Sequence, residues 1–114
     1  MAAENTVELS SQSRADLHDF PITRKWPPAH LDRLQLYAFG TPNGVKIPIA
    51  LEELGIDYEA HRVPLSDKNI KSPEFLSLSP NNKIPAIIDP DGPDGRPIGI
   101  FESAAILMYL GDKA

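Results

Sequence analysis

The sequence contains no cysteine. That absence excludes a disulfide framework, a thiolate zinc site and a cysteine nucleophile of the protein's own. A reducing cytoplasm is the default compartment for such a chain. Basic residues are outnumbered, with 11 Lys and Arg against 16 Asp and Glu, a formal charge of −5. This balance argues against nucleic acid and against an anionic membrane surface as partners. The longest apolar run, residues 104–110, is far short of the roughly 20 residues that span a bilayer. The opening Met1-Ala2-Ala3-Glu4-Asn5 lacks the basic and apolar regions of a secretory leader. The sequence shows no acid–base pair, phosphate loop or metal-ligand spacing, so no metal is expected.

What is present fits one soluble domain. The 114 residues are 41% hydrophobic and 24% charged, which rules out wholesale disorder. Residues 1–33 read as an N-terminal extension. Ser10-Ser11-Gln12-Ser13 is polar, and Pro21, Pro27 and Pro28 interrupt any regular period. The segment reads as a tail, poorly packed over residues 1–19. Phe20, Ile22 and Trp26 are anchors that a solvated tail rarely carries, so residues 20–26 are expected to make its apolar contacts.

From Leu34 the pattern is regular. Residues 34–39 alternate as a strand, and Gly40-Thr41-Pro42-Asn43-Gly44 is a turn with a helix start. Residues 45–54 carry Ile47, Leu51 and Leu54 on one helical stripe, stopped by Gly55; Pro48 predicts a loose start or a kink. Residues 58–63 are a second strand. Ser72 caps a short helix with Pro73 at its first position. Residues 84–89 are a third strand entered through Pro85. Asp91-Gly92 and Asp94-Gly95 mark a hairpin to a fourth strand at 97–101, and residues 103–110 form a last helix closed by Gly111. The order β-α-β-α-β-β-α is thioredoxin-like, an α/β fold with a four-stranded mixed sheet. The last helix has no polar face, so it needs cover on two sides. The chain has material for one. The other side is expected to be covered by a missing domain, by another chain or by the 20–26 segment folded back.

In this order the reactive place lies between the first strand and first helix, beside the proline that precedes the third strand. Thr41-Pro42-Asn43-Gly44 stands there. Any thiol must come from a ligand, and the helix N-terminus suits a thiolate. Taken alone, Thr41 reads as a cap, Asn43 as a turn residue, Pro85 as a loop proline and Lys83 as a solvated charge. Glu102 and Ser103 read as simple capping, and His61 as a structural strand residue.

Four stretches change that reading. Thr41-Pro42-Asn43-Gly44, Leu51-Glu52-Glu53-Leu54-Gly55-Ile56-Asp57-Tyr58, Ser79-Pro80-Asn81-Asn82-Lys83-Ile84-Pro85-Ala86-Ile87-Ile88-Asp89 and Phe101-Glu102-Ser103-Ala104-Ala105-Ile106-Leu107-Met108-Tyr109-Leu110 occur in order. Together they resemble the N-terminal domain of a glutathione transferase, with forms similar to the Nu class of glutathione-dependent disulfide reductases. The resemblance covers residues 34–114 and implies a thioredoxin-like glutathione-binding domain. It implies glutathione as co-substrate, a small-molecule electrophile or disulfide as second substrate, and a homodimer of the full-length protein. The family's all-helical C-terminal domain has no counterpart in these residues.

The resemblance also implies roles. Asn43 and Thr41 would act at the glutathione sulfur. Ile84, before a cis Pro85, would pair its backbone with the cysteinyl part. Glu102 would meet the γ-glutamyl ammonium, Ser103 and the helix start its carboxylate, and Lys83 would attract a ligand carboxylate. The 66–71 loop would face the glycyl end, where Ile70 stands in place of the class's glutamine; Lys68 or Lys71 could substitute. The rival reading is a non-catalytic thioredoxin-fold interaction or regulatory module, as found in regulators, chaperone-like proteins and translation-factor subunits.

Overall fold

The computed structural model describes residues 6–8, 17–39, 42–81 and 83–113. Strand β2 (Leu34–Ala38), helix α2 (Pro42–Leu54) and strand β3 (Tyr58–Arg62) form a parallel βαβ unit. Two single turns follow, α3 (Asp67–Ile70) and α4 (Pro73–Leu76). Strands β4 (Ala86–Asp89) and β5 (Ile98–Phe101) make an antiparallel hairpin, and α5 (Ser103–Lys113) closes the order. This is the thioredoxin-like arrangement read from the sequence.

The sheet exceeds that expectation by one strand. β1 (Thr6–Glu8) pairs antiparallel with β5, so the order is β1-β5-β4-β2-β3. A β5 edge offers a row of free backbone donors and acceptors, and a three-residue strand is enough to use them. So short a strand leaves no alternation to read.

The strand faces set the two cores. Leu34, Leu36, Ile87, Ile98 and Ile100 face α2 and α5, where Ile47, Leu51, Ile106 and Leu110 are buried. Tyr37, Ala86, Ile88 and Phe101 face the other way, toward Phe75 and Leu78. On this second face Leu17, Phe20 and Ile22 are fully packed, with Trp26 half-buried beside them. The 20–26 segment therefore makes apolar contacts as expected, but not on the last helix. The expectation of poor packing over residues 1–19 fails at Leu17, 2% exposed, and at β1. A 3-10 turn (Leu17–Asp19) and helix α1 (Ile22–Lys25) carry these side chains. They are one turn each, too short for a helical period to show.

Local chemistry explains the element ends. Pro42 sits at the first position of α2, where its missing N–H costs nothing. The helix therefore starts before Val45 and runs on through Pro48. Gly55, at φ +68°, takes the left-handed conformation that ends it. Ser72 Oγ accepts from Phe75 N–H at 3.2 Å as the N-cap of α4. Helix α5 does not stop at Gly111 but continues to Lys113. Its last turn is held tertiarily: the Tyr109 hydroxyl donates to Asp89 Oδ2 at 2.6 Å, and Lys113 Nζ lies 3.0 Å from the same oxygen.

Candidate functional site

Register gathers the candidate site at one end of the sheet. Tyr37 pairs with His61 on one side and Ala86 on the other, and Ala86 pairs with Phe101. The segments leaving β2, β3 and β5 and the segment entering β4 therefore share that end. So do the N-termini of α2 and α5, thirteen and eleven residues long. Both present free N–H groups and the positive end of a helix dipole there.

The entry to β4 is tightly built. Ser79, buried, donates its hydroxyl to the Lys83 carbonyl at 2.8 Å. Lys83 is exposed, Ile84 half-buried and Pro85 buried. The Ile84–Pro85 bond is cis, as the motif implies. Ile84 packs against the core that holds Trp26 and Ile70.

The start of α5 holds the second group. Glu102 is exposed, and its carbonyl accepts from Ile106 N–H at 3.0 Å, so Glu102 is the N-cap position. Its φ is +75°. A left-handed non-glycine residue costs about 1–3 kcal/mol and concentrates at functional sites. Residue type gave no hint of this strain. Ser103, half-buried, is the first residue of α5.

Asn43 falls in the first turn of α2. Its side chain and Thr41 lie outside the described residues. The backbone thus brings Asn43, Lys83, Ile84, Pro85, Glu102 and Ser103 to one end of the sheet. In the 66–71 loop, Ile70 is half-buried in the Trp26 core and Lys68 is exposed. An apolar groove of about 430 Å³ lies beside α2; its lining among the described residues includes Phe39, Val45, Pro48, Ile49 and Arg62 and none of the sequence-predicted site residues.

Behind this end sits a polar knot. Glu59 accepts from the Ala29 N–H at 2.8 Å and the His30 N–H at 2.9 Å, and from Gln35 Nε2 at 3.2 Å. Burial pushes the Glu59 carboxyl up, but these donors outweigh it and hold it below its ordinary value. Gln35 Oε1 lies 2.6 Å from His61 Nε2. An amide oxygen only accepts, so His61 carries its proton on Nε2. Burial lowers the His61 pKa, and the Glu59 charge only partly offsets that. The His61 ring stacks on Tyr37 at 4.7 Å. Burial, reinforced by Glu59, raises the Tyr37 phenol far above its ordinary range. His61 is a strand residue in this knot, as its sequence position suggests.

Among the described residues, no helix is long and apolar enough to cross a membrane, and no three metal-ligating side chains cluster.

A parallel βαβ unit followed by a hairpin with a cis-proline strand entry and a last helix is a thioredoxin-like α/β domain. Comparison with known proteins narrows it. The model of the glutathione S-transferase N-terminal domain matches residues 41–113, and the chain belongs to that family. It is 51% identical over 81 residues to the disulfide-bond oxidoreductase YfcG of Escherichia coli, covering 70% of this chain and 38% of the relative. It is 41% identical over 99 residues to the disulfide-bond oxidoreductase YghU of the same organism, covering 82% and 34%. A glutathione transferase from Pseudomonas putida, solved with one glutathione disulfide bound per subunit, superposes with a TM-score of 0.84 at 61% identity, covering 87% of this chain and 43% of that one. The chain thus spans well under half the length of these relatives.

Proposed function

We propose that this chain binds glutathione at the sheet end described above, and that the whole protein uses the glutathione thiol to reduce disulfides or to conjugate small electrophiles. The observation that carries this reading is the register that collects the α2 start, Ile84–Pro85 and Glu102–Ser103 at one end, in a chain 61% identical to a glutathione transferase solved with glutathione disulfide. Asn43 and Thr41 attend the sulfur, and the α2 N-terminus stabilises the thiolate. The Ile84 backbone pairs with the cysteinyl part as an added strand. Glu102 meets the ammonium, Ser103 and the α5 N-terminus hold the γ-glutamyl carboxylate, and Lys83 attracts a carboxylate.

These 114 residues hold no cysteine, and in this reading the glutathione thiol supplies the electrons. A glutathione thiolate attacks one substrate sulfur, the substrate S–S bond breaks, and a substrate thiolate leaves. A second glutathione thiolate attacks the glutathione sulfur of the mixed disulfide, releasing the second substrate thiol and forming glutathione disulfide. In conjugation the same thiolate attacks an electrophilic carbon. The reading includes a homodimer of the full-length protein and a cytoplasmic location, and uses no metal, nucleic acid or membrane.

One relative favours a second reading. The chain is 33% identical over 117 residues to the transcriptional regulator URE2 of Saccharomyces cerevisiae. A regulatory module of that kind would keep the fold without turnover.

Calorimetric titration with glutathione tests binding by the chain, and glutathione-dependent reduction of a small disulfide tests turnover in the full-length protein. Asn43→Ala is expected to lower turnover more than binding, because charge changes at the sulfur during reaction. Ser103→Ala is expected to weaken binding chiefly. Absence of glutathione binding overturns the proposal; binding without turnover favours the regulatory reading.

A further inference from the structure

The N-terminal segment is tied to the 66–71 loop by a series of contacts. Trp26 lies edge-to-face with Tyr37 and Phe75, both at 6.3 Å. Lys25 lies over the Trp26 ring, its ammonium 5.6 Å from the centroid. The same ammonium donates to the Lys68 carbonyl of α3 at 3.0 Å, across 43 residues of chain. The turn is also held locally, with Ser72 Oγ donating to the Asn69 carbonyl at 2.6 Å. Asn69 and Ile70 N–H both donate to the Ser66 carbonyl at 2.9 Å, and Asn69 Nδ2 donates to Ser66 Oγ at 3.0 Å. Ile70 and Ile84 pack on one core with Trp26. The segment therefore bonds the 66–71 loop directly and shares one core with the strand entry.

We infer that Lys25, seated on Trp26, is a positioning residue for the 66–71 loop, and that through this loop the N-terminal segment sets affinity for the glycyl end of glutathione. The inference rests on the glutathione-binding reading above. A single turn of helix does not hold its shape unaided. Its last carbonyls lack intrahelical partners, and an external ammonium satisfies one of them. Ile70 packs on the core, and Lys68 and Lys71 are the exposed loop cations that can meet a carboxylate. Lys25 fixes the Lys68 backbone and so the point from which the Lys68 side chain departs.

Lys25→Met keeps the stem over Trp26 and removes the donor. In the 114-residue chain it is expected to raise the glutathione dissociation constant about three- to tenfold, the range of one lost hydrogen bond. Denaturation midpoint is expected to stay unchanged, because Lys25 is exposed. Lys25→Arg, which keeps a donor, is expected to restore most of the affinity. Hydrogen exchange gives a readout independent of ligand: the Asn69 and Ile70 amides are expected to exchange faster in Lys25→Met, while those of Leu36 and Ile87 stay protected. Unchanged loop exchange overturns the positioning role. Faster exchange with unchanged affinity overturns its bearing on the ligand. Failure of the unsubstituted chain to bind glutathione overturns the functional reading itself, and the exchange result still decides whether Lys25 holds the loop.

Discussion

Replacing Phe20 by alanine probes whether the N-terminal segment belongs to the fold. Phe20 is 2% exposed, in a core shared with Tyr37, Phe75 and Phe101. Its backbone is also committed: the Phe20 carbonyl accepts from Thr23 N–H at 3.0 Å and Thr23 Oγ1 at 2.7 Å. The void left by the ring therefore cannot close by a simple shift of the segment. Phe→Ala at such sites costs about 3–5 kcal/mol. Domains of this kind have a total margin of about 5–15 kcal/mol. Removing residues 1–33 altogether also exposes the sheet face now covered by Leu17 and Ile22. At about 1.5–3 kcal/mol for each of the three fully buried side chains, the loss reaches about 5–9 kcal/mol. The truncated chain is expected not to fold cooperatively. Urea denaturation followed by circular dichroism measures both variants. Met108→Ala, at a position 63% exposed, serves as the control and should change stability by no more than about 0.5 kcal/mol. A Phe20→Ala loss as small as the control's, or a truncated chain with an unchanged midpoint, would refute the reasoning.

Three further expectations follow from particular groups. The Tyr37 hydroxyl is buried without a hydrogen-bond partner among the described residues, so Tyr37→Phe is expected to be neutral or to stabilise by up to about 1–3 kcal/mol in the same denaturation experiment. A Cβ on Gly92 would lie 2.6 Å from the Arg96 carbonyl oxygen and 2.6 Å from Ile98 Cγ2, so Gly92→Ala is expected to distort the β4–β5 hairpin and cost about 1–3 kcal/mol. Acid should destabilise the chain in two windows. The native state resists protonating His61, so stability falls as pH drops below the ordinary histidine value of 6.5 toward the lower folded value. The Glu59 contribution is complete above 4.5 and is lost as pH falls from there through its folded value. Stability measured across pH for His61→Asn and Glu59→Gln should lose the upper and lower windows respectively; unchanged profiles would remove these groups from the acid response.

The core from Leu34 onward was legible because local signals agreed with the tertiary answer. Ile47 and Leu51 of the expected stripe are buried although Leu54, also placed on it, is 40% exposed; Gly55 needs a left-handed backbone, and Ser72-Pro73 opens a helix by local chemistry alone. The illegible parts depend on contacts distant in sequence. Leu17, Phe20 and Ile22 show no period because a sheet face, not a helix, selects them. Gly111 looked like a stop signal, but the bonds of Tyr109 and Lys113 to Asp89 carry the helix past it. For the candidate site, the Pro-entered strand and the Glu-Ser pair stood out as motifs. The positive φ of Glu102 and the inward turn of Ile70 did not: residue type does not encode the first, and the second follows from packing on a core distant in sequence.

The two faces of the sheet are finished differently, and this decides how the chain behaves alone. The N-terminal segment closes the Tyr37 face, so it cannot also cover the last helix. On the opposite face, α2 and α5 bury one side against the sheet and leave Val45, Ile49 and Met108 largely exposed, with Leu107 37% exposed. Each large apolar side chain left in water forgoes about 1.5–3 kcal/mol of burial. Val45 and Ile49 are four residues apart, on one side of α2, so their exposure is a face and not a scatter. Such a face binds apolar dyes or other protein surfaces. The isolated 114-residue chain is therefore expected to self-associate with rising concentration in sedimentation velocity and to enhance the fluorescence of an apolar dye. Ile49→Lys with Met108→Lys should reduce both signals without lowering the urea midpoint, because neither side chain lies in a core. A compact monomer with no dye enhancement would show that these side chains cover one another well enough to need no further layer.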